Sequence, residues 1–168
     1  TSGGLGDLIK KTTLVSEDPV LDYFIDAKGE ITAIHLDGRI TRFKQESSDK
    51  LENLSANLIP NLAQVKFSWD GKKVLVEMKE PGKKQFSVFD VEKKTWQPLS
   101  LEIQAATWAP KDYRLAYFSK KSGVKGVLGM MNFSTSNPRQ TEILKINLQE
   151  INLAWKKPNE LLLVEPAS

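Results

Sequence analysis

Phe67-Ser68-Trp69-Asp70-Gly71-Lys72-Lys73-Val74-Leu75-Val76 is the stretch that decides how this 168-residue chain folds. A bulky apolar residue closes one β-prone run, an Asp-Gly step turns the chain, and a β-branched run leads back. Such a step between apolar runs signals a hairpin, because glycine takes the positive φ that tight turns demand. The phrase recurs as Trp108-Ala109-Pro110-Lys111-Asp112-Tyr113-Arg114-Leu115-Ala116-Tyr117 and as Trp155-Lys156-Lys157-Pro158-Asn159-Glu160-Leu161-Leu162-Leu163. A weaker copy, Ile25-Asp26-Ala27-Lys28-Gly29-Glu30-Ile31-Thr32-Ala33-Ile34, opens the series. Aligned on the apolar residue before the turn, the copies start at 25, 67, 108 and 155, at intervals of 42, 41 and 47.

A period of about 40–45 residues with several short strands per unit predicts an all-β chain of β-propeller blades, each a four-stranded antiparallel meander. Residues 1–19 read as a flexible lead-in or strap, with three glycines in the first six positions. Four units follow, at about 20–60, 61–100, 101–147 and a partial one at 148–168. In the first, strands are expected at 21–25, 30–36 and 39–44, with one short outer strand or helical turn in the polar stretch 45–61. The second offers 64–69, 73–79, 85–90 and 95–99, and the third 103–108, 113–119, 126–133 and 140–146. The fourth has only 150–155 and 160–165. Gly29, Gly38, Gly71 and Gly82 are expected at the turns, and Ile25, Phe67, Trp108 and Trp155 at equivalent positions in the space between blades. Trp96, on an outermost strand, is expected to be partly exposed.

Composition agrees with a globular protein of one domain: 40% apolar and 27% charged residues. The apolar runs are only a few residues long, too short for a spanning helix. The chain begins at Thr1 and shows no charged-then-apolar leader, so it reads as a processed or excised product. It has no cysteine, which excludes disulfides, thiolate metal sites and cysteine nucleophiles. The net charge of +3 is small for a dedicated nucleic-acid binder.

The turn Phe67-Ser68-Trp69-Asp70-Gly71-Lys72-Lys73 resembles the F-S-P-D-G-K-K turn of the TolB-type, WD40-like (PD40-like) propeller repeat, with Trp69 in place of the proline. Trp108-Ala109-Pro110-Lys111-Asp112 keeps the proline and loses the glycine, and Trp155-Lys156-Lys157-Pro158-Asn159 is looser. The resemblance covers roughly residues 20–168. It implies a propeller scaffold of the kind found in bacterial envelope proteins and as the non-catalytic half of some serine peptidases. The Gly-His and Trp-Asp signatures of WD40 repeats are absent, since Trp69-Asp70 lies in a first turn.

Catalytic chemistry has little to stand on. His35 is the only histidine, and it sits in an alternating strand, where a plain strand residue near a surface is expected. No Gly-x-Ser-x-Gly elbow appears, and Gly3-Gly4-Leu5-Gly6 lacks the Lys-Ser/Thr of a phosphate loop. Asp37, Asp70 and Asp112 occupy turns without calcium-loop spacing, so hydrogen bonds to turn backbone are their expected work. Six Lys-Lys pairs, at 10–11, 72–73, 83–84, 93–94, 120–121 and 156–157, suggest either a polyanion surface or solvated hairpin tips. The pairs fall at both ends of the strands, which favours the tips.

No catalytic, cofactor or metal residues are assigned, and no cofactor is expected. The sequence reads as a non-catalytic scaffold for protein or ligand binding, with neither nucleic acid nor membrane insertion implied. Alternatives are the propeller portion of a larger enzyme, such as a serine peptidase, or a fragment whose ring another chain completes. Three and a half blades cannot close a ring of four to eight. Association of end blades, as a homodimer or a seven- or eight-bladed ring, is therefore expected, with the partial blade completed by a partner's residues 12–15 or 20–25. The resemblance favours an envelope setting over the cytoplasm.

Overall fold

The computed structural model describes residues 17–44, 47–55, 57–121 and 123–165. The lead-in before residue 17, including Lys10-Lys11, Gly3 to Gly6 and the strap at 12–15, lies outside the described residues. Every regular element among the described residues is a strand. Three four-stranded antiparallel meanders follow in chain order. Blade 1 holds β1 (Val20–Ile25), β2 (Glu30–His35), β3 (Ile40–Lys44) and β4 (Ser47–Ser55). Blade 2 holds β5 (Leu62–Phe67), β6 (Lys73–Glu80), β7 (Lys83–Asp90) and β8 (Thr95–Pro98). Blade 3 holds β9 (Ile103–Trp108), β10 (Arg114–Ser119), β11 (Gly126–Asn132) and β12 (Gln140–Ile146). Blade 4 is a two-stranded hairpin of β13 (Asn152–Lys157) and β14 (Glu160–Val164). The stretch 45–61, left open between a strand and a helical turn, thus holds a strand nine residues long. Residues 20–25 form β1 of the chain's own first blade, which corrects the expectation that they would complete a partner's.

Side-chain alternation with period 2 explains how one sheet serves two neighbours. On β6, Val74 and Val76 pack toward blade 1 with Ile34, Ile40 and Leu54. Leu75, between them, packs toward blade 3 with Trp108, Leu115 and Tyr117. The register keeps each set on one face: Phe67 opposes Val74 and Val65 opposes Val76, while Leu115 opposes Trp108. β7 divides in the same way, with Phe89, and Val91 just past its end, facing one core and Phe86 and Val88 the other. A third core joins Phe118, Leu128 and Ala105 of blade 3 to Ile151 and Leu153 beside blade 4.

Turn chemistry sets the links. Gly29, Gly38, Gly71 and Gly82 have φ of 77°, 89°, 73° and 74°. At two of them space matters as well. A Cβ on Gly71 would collide with the ring of Phe24, so this glycine lets the blade 2 turn close onto blade 1. A Cβ on Gly38 would strike Ile59. The turn aspartates cap the same links: Asp26 accepts from the Lys28 and Glu30 amides, Asp37 from Arg39, Asp70 from Lys72 and Asp112 from Arg114.

Trp108 is buried in the core between blades 2 and 3, its ring edge-on to Phe133. Its indole N–H donates to the Lys66 carbonyl of blade 2 at 3.0 Å. Trp108→Ala is expected to lower stability by roughly 3–5 kcal/mol, as aromatic truncations in packed cores do. A urea titration checks this, and a loss below about 1 kcal/mol would break the alignment of the repeats.

Candidate functional site

The four repeat positions lie on the first strand of each blade, and three of them touch the blade before. Phe67 packs against Phe24 of blade 1, ring centroids 5.6 Å apart. Trp108 bonds to blade 2 as described. Trp155 lies under the Arg114 guanidinium of blade 3, at 5.3 Å. Ile25 has no preceding blade and is 53% exposed. Tyr23 shares its face and is 60% exposed. Farther out on that face Ala33, Thr41 and Phe43 are buried.

Polar contacts stitch the interfaces between these apolar layers. Tyr113 of blade 3 donates its hydroxyl to Asp70 in the blade 2 turn. Asp70 also accepts from Ser68, whose own oxygen accepts from the Lys73 amide. The Lys73 ammonium bonds to Asp90 at 2.7 Å and sits over the Tyr113 ring. Burial, with Asp70 beside it, pushes the Tyr113 phenol far up, so it stays a donor. Burial alone would raise the Asp90 carboxyl. The bonds from Lys73 and the Lys93 amide outweigh it and hold the group below the usual carboxylate range. Lys66, half-buried between blades 2 and 3, donates to the Ala106 carbonyl at 3.2 Å. Burial pulls its amine pKa down, and nearby Glu77 opposes that pull. Trp96 packs on Phe89 and donates to Ser55 of blade 1. It is half-buried, in keeping with its place on an outermost strand.

Sequence reasoning had no signal for the Tyr113–Asp70 bond, which crosses 43 positions. His35 also differs from expectation. It is buried, with Nε2 bonded to Thr41 Oγ1 at 2.8 Å and Nδ1 without a protein partner. Its partner Thr41 comes from the neighbouring strand β3, an effect of pairing that linear alternation does not reveal. Among the described residues no three His, Asp or Glu side chains gather as metal ligands.

The lysine pairs divide between the two ends of the meanders. Lys72-Lys73, Lys93-Lys94 and Lys156-Lys157 stand at one end, Lys83-Lys84 and Lys120-Lys121 at the other. Many are already paired: Lys72 with Glu92, Lys84 with Glu150, Lys94 with Glu52 and Lys157 with Glu160. The arc's last structural feature is its open end. Among the described residues β14 pairs with β13 alone, and Leu163 and Val164 on it are exposed.

No protein-family profile and no curated protein matches the chain. Solved structures do. The N-terminal domain of Nup159 aligns over 86% of this chain and 38% of its own, at 10% identity and a TM-score of 0.60. Nup159 also appears in a Saccharomyces cerevisiae complex with Dbp5 and Gle1, matched at 9% identity and a TM-score of 0.61. A prolyl endopeptidase aligns over 89% of this chain and 30% of its own, at 17% identity and a TM-score of 0.55. TolB from Agrobacterium tumefaciens aligns over 79% of this chain and 55% of its own, at 12% identity and a TM-score of 0.45. The fold is that of a β-propeller, and the chain spans well under half the length of the Nup159 domain and the endopeptidase chain it matches.

Two outcomes follow from the charges. Asp90 has a native pKa below the unfolded value of about 3.9. Its ion pair therefore contributes fully above that value and is lost as pH falls through the lower native one. The stability gap between the parent chain and Asp90→Asn should be steady from pH 7 to 5 and shrink below about pH 4, read from urea midpoints. Replacing Lys83, Lys84, Lys93 and Lys94 with glutamine should barely move the midpoint, since exposed ion pairs contribute about 0–1 kcal/mol each. Steeply salt-dependent binding to heparin, lost in that variant, would establish a polyanion site instead.

Proposed function

We propose that this chain is a non-catalytic propeller scaffold for protein binding that associates through its end blades, with units near 20–60, 61–100, 101–147 and 148–168. The observation that carries the reading is the contrast between inner and outer faces. Phe67, Trp108 and Trp155 each rest on a preceding blade, whereas their counterpart Ile25 is exposed with Tyr23. At the far end Leu163 and Val164 are exposed on an edge with no partner strand among the described residues. Each Å² of apolar surface these residues leave wet costs about 25 cal/mol. Covering those ends, by a second copy or by further blades, removes the cost. Nup159, seen with Dbp5 and Gle1, lends support to a protein-binding role for such a scaffold. A setting at the bacterial envelope belongs to this reading and rests on the TolB-type repeat.

The prolyl endopeptidase likeness favours a second reading, in which the blades are the propeller part of a larger enzyme. A parent gene encoding a Gly-x-Ser-x-Gly segment beyond these blades would decide for it. For the first reading the measurement is light scattering at micromolar concentration. The chain should run as a homodimer or larger closed ring. A monodisperse monomer with cooperative unfolding would overturn end-blade association.

A further inference from the structure

Between blades 2 and 3 a cavity of about 620 Å³ opens at the end of the meanders where β6 turns into β7. Its walls come from separate segments: Lys79 and Lys84 from that hairpin, Leu101 and Gln104 from the entry to β9, and Gln149 and Glu150 from the link to β13. Lys79 and Lys84 stand directly opposite each other in the β6–β7 ladder. Alternation puts both on the face of Leu75 and Phe86, toward blade 3. Like charges placed so destabilise an antiparallel pair. The next pair outward, Glu80 with Lys83, joins opposite charges. Relief for the lysines is partial: Glu150 lies 3.6 Å from Lys84, while among the described residues Lys79 makes no ion pair. Lys120 donates to Gln149 Oε1, which leaves that carboxamide its N–H donors. Leu101 is 54% exposed although it lines a concave site.

We propose that this cavity binds a small aliphatic monocarboxylate, its carboxylate between the Lys79 and Lys84 ammonium groups and its chain along Leu101. The site goes beyond the scaffold reading and does not depend on it, since no wall of the cavity is an end face of the arc. A carboxylate accepts from both lysines at once, which turns repulsion across the hairpin into charge-assisted hydrogen bonds. The carboxamides of Gln104 and Gln149 bring further N–H donors for the remaining lone pairs. Leu101 and the methylene stems of the lysines line the path of an apolar chain. One negative charge suits the site better than two, because Glu80 and Glu150 share the cavity and repel a second. The volume falls within the roughly 300–1,000 Å³ of small-molecule sites.

The probe is octanoate, with octylammonium and acetate as controls, titrated into the chain and followed by the backbone amide chemical shifts of Lys84, Leu101 and Gln104. Octanoate should move these amides and bind at least about tenfold more tightly than either control, one of which reverses the charge while the other lacks the chain. Lys79→Gln should weaken octanoate about tenfold and keep or raise the urea midpoint, because one of two opposed like charges is gone. Leu101→Ser should weaken octanoate and leave acetate unchanged. Lys93→Gln, at the opposite end of the meanders, should change nothing. Octylammonium as tight as octanoate, or a Lys79→Gln chain that binds octanoate like the parent, overturns the site. So does a loss of binding in Lys93→Gln equal to that in Lys79→Gln, which marks attraction to a basic surface at large. Acetate as tight as octanoate overturns the aliphatic ligand.

Discussion

Apolar packing of blade on blade is the interaction on which the rest of this structure depends. A four-stranded sheet with apolar residues on both faces cannot be stable alone in water, because each face needs a cover. The chain answers by repeating the sheet, so that each cover is itself a sheet needing one more. Val74 and Val76 look back to blade 1 while Leu75 looks forward to blade 3. One strand thus binds two interfaces together, and loosening either strains the other. Stability of this kind is close to a sum over units and their neighbours. Its weakest points are then the two ends, where a term of the sum is missing.

The polar contacts depend on that apolar frame. Tyr113 meets Asp70, Trp108 meets the Lys66 carbonyl and Trp96 meets Ser55, always across a gap between blades. Each donor comes from an aromatic side chain whose ring is already packed, so the hydrogen bond fixes angle and register more than it adds energy. A net gain of about 0.5–1.5 kcal/mol is usual for one such bond. Leaving Asp70 or the Lys66 carbonyl unpaired in a half-buried seam would cost more than that gain, which makes the seams intolerant of slippage.

What could be read in the sequence was whatever is local. The period of the turns placed the blades, and the turn aspartates capped the backbone where the turn chemistry implied. The fourth strand of blade 1 was legible only as an alternative to a helical turn, because Ser47 to Ser55 is polar and lacks the alternation of a buried strand. It lies at the rim of its sheet, where one edge and much of its surface meet water. The burial of His35 was hidden for a related reason: its partner Thr41 comes from another strand. The Tyr113–Asp70 seam depends on the angle between two blades, which no run of residues encodes.

The two ends of the arc differ in kind, and the difference bears on how each can be covered. At blade 1 the sheet is whole and its exposed part is a face, Tyr23 and Ile25 on the innermost strand. Only another packed surface can cover it, and main-chain hydrogen bonds play no part. At blade 4 the described sheet has two strands, and the outer edge of β14 has no partner strand among the described residues. A main-chain edge accepts any extended segment of suitable alternation, while a face demands a shaped partner. Affinity at the edge comes from the ladder, and selectivity from the side chains beneath it.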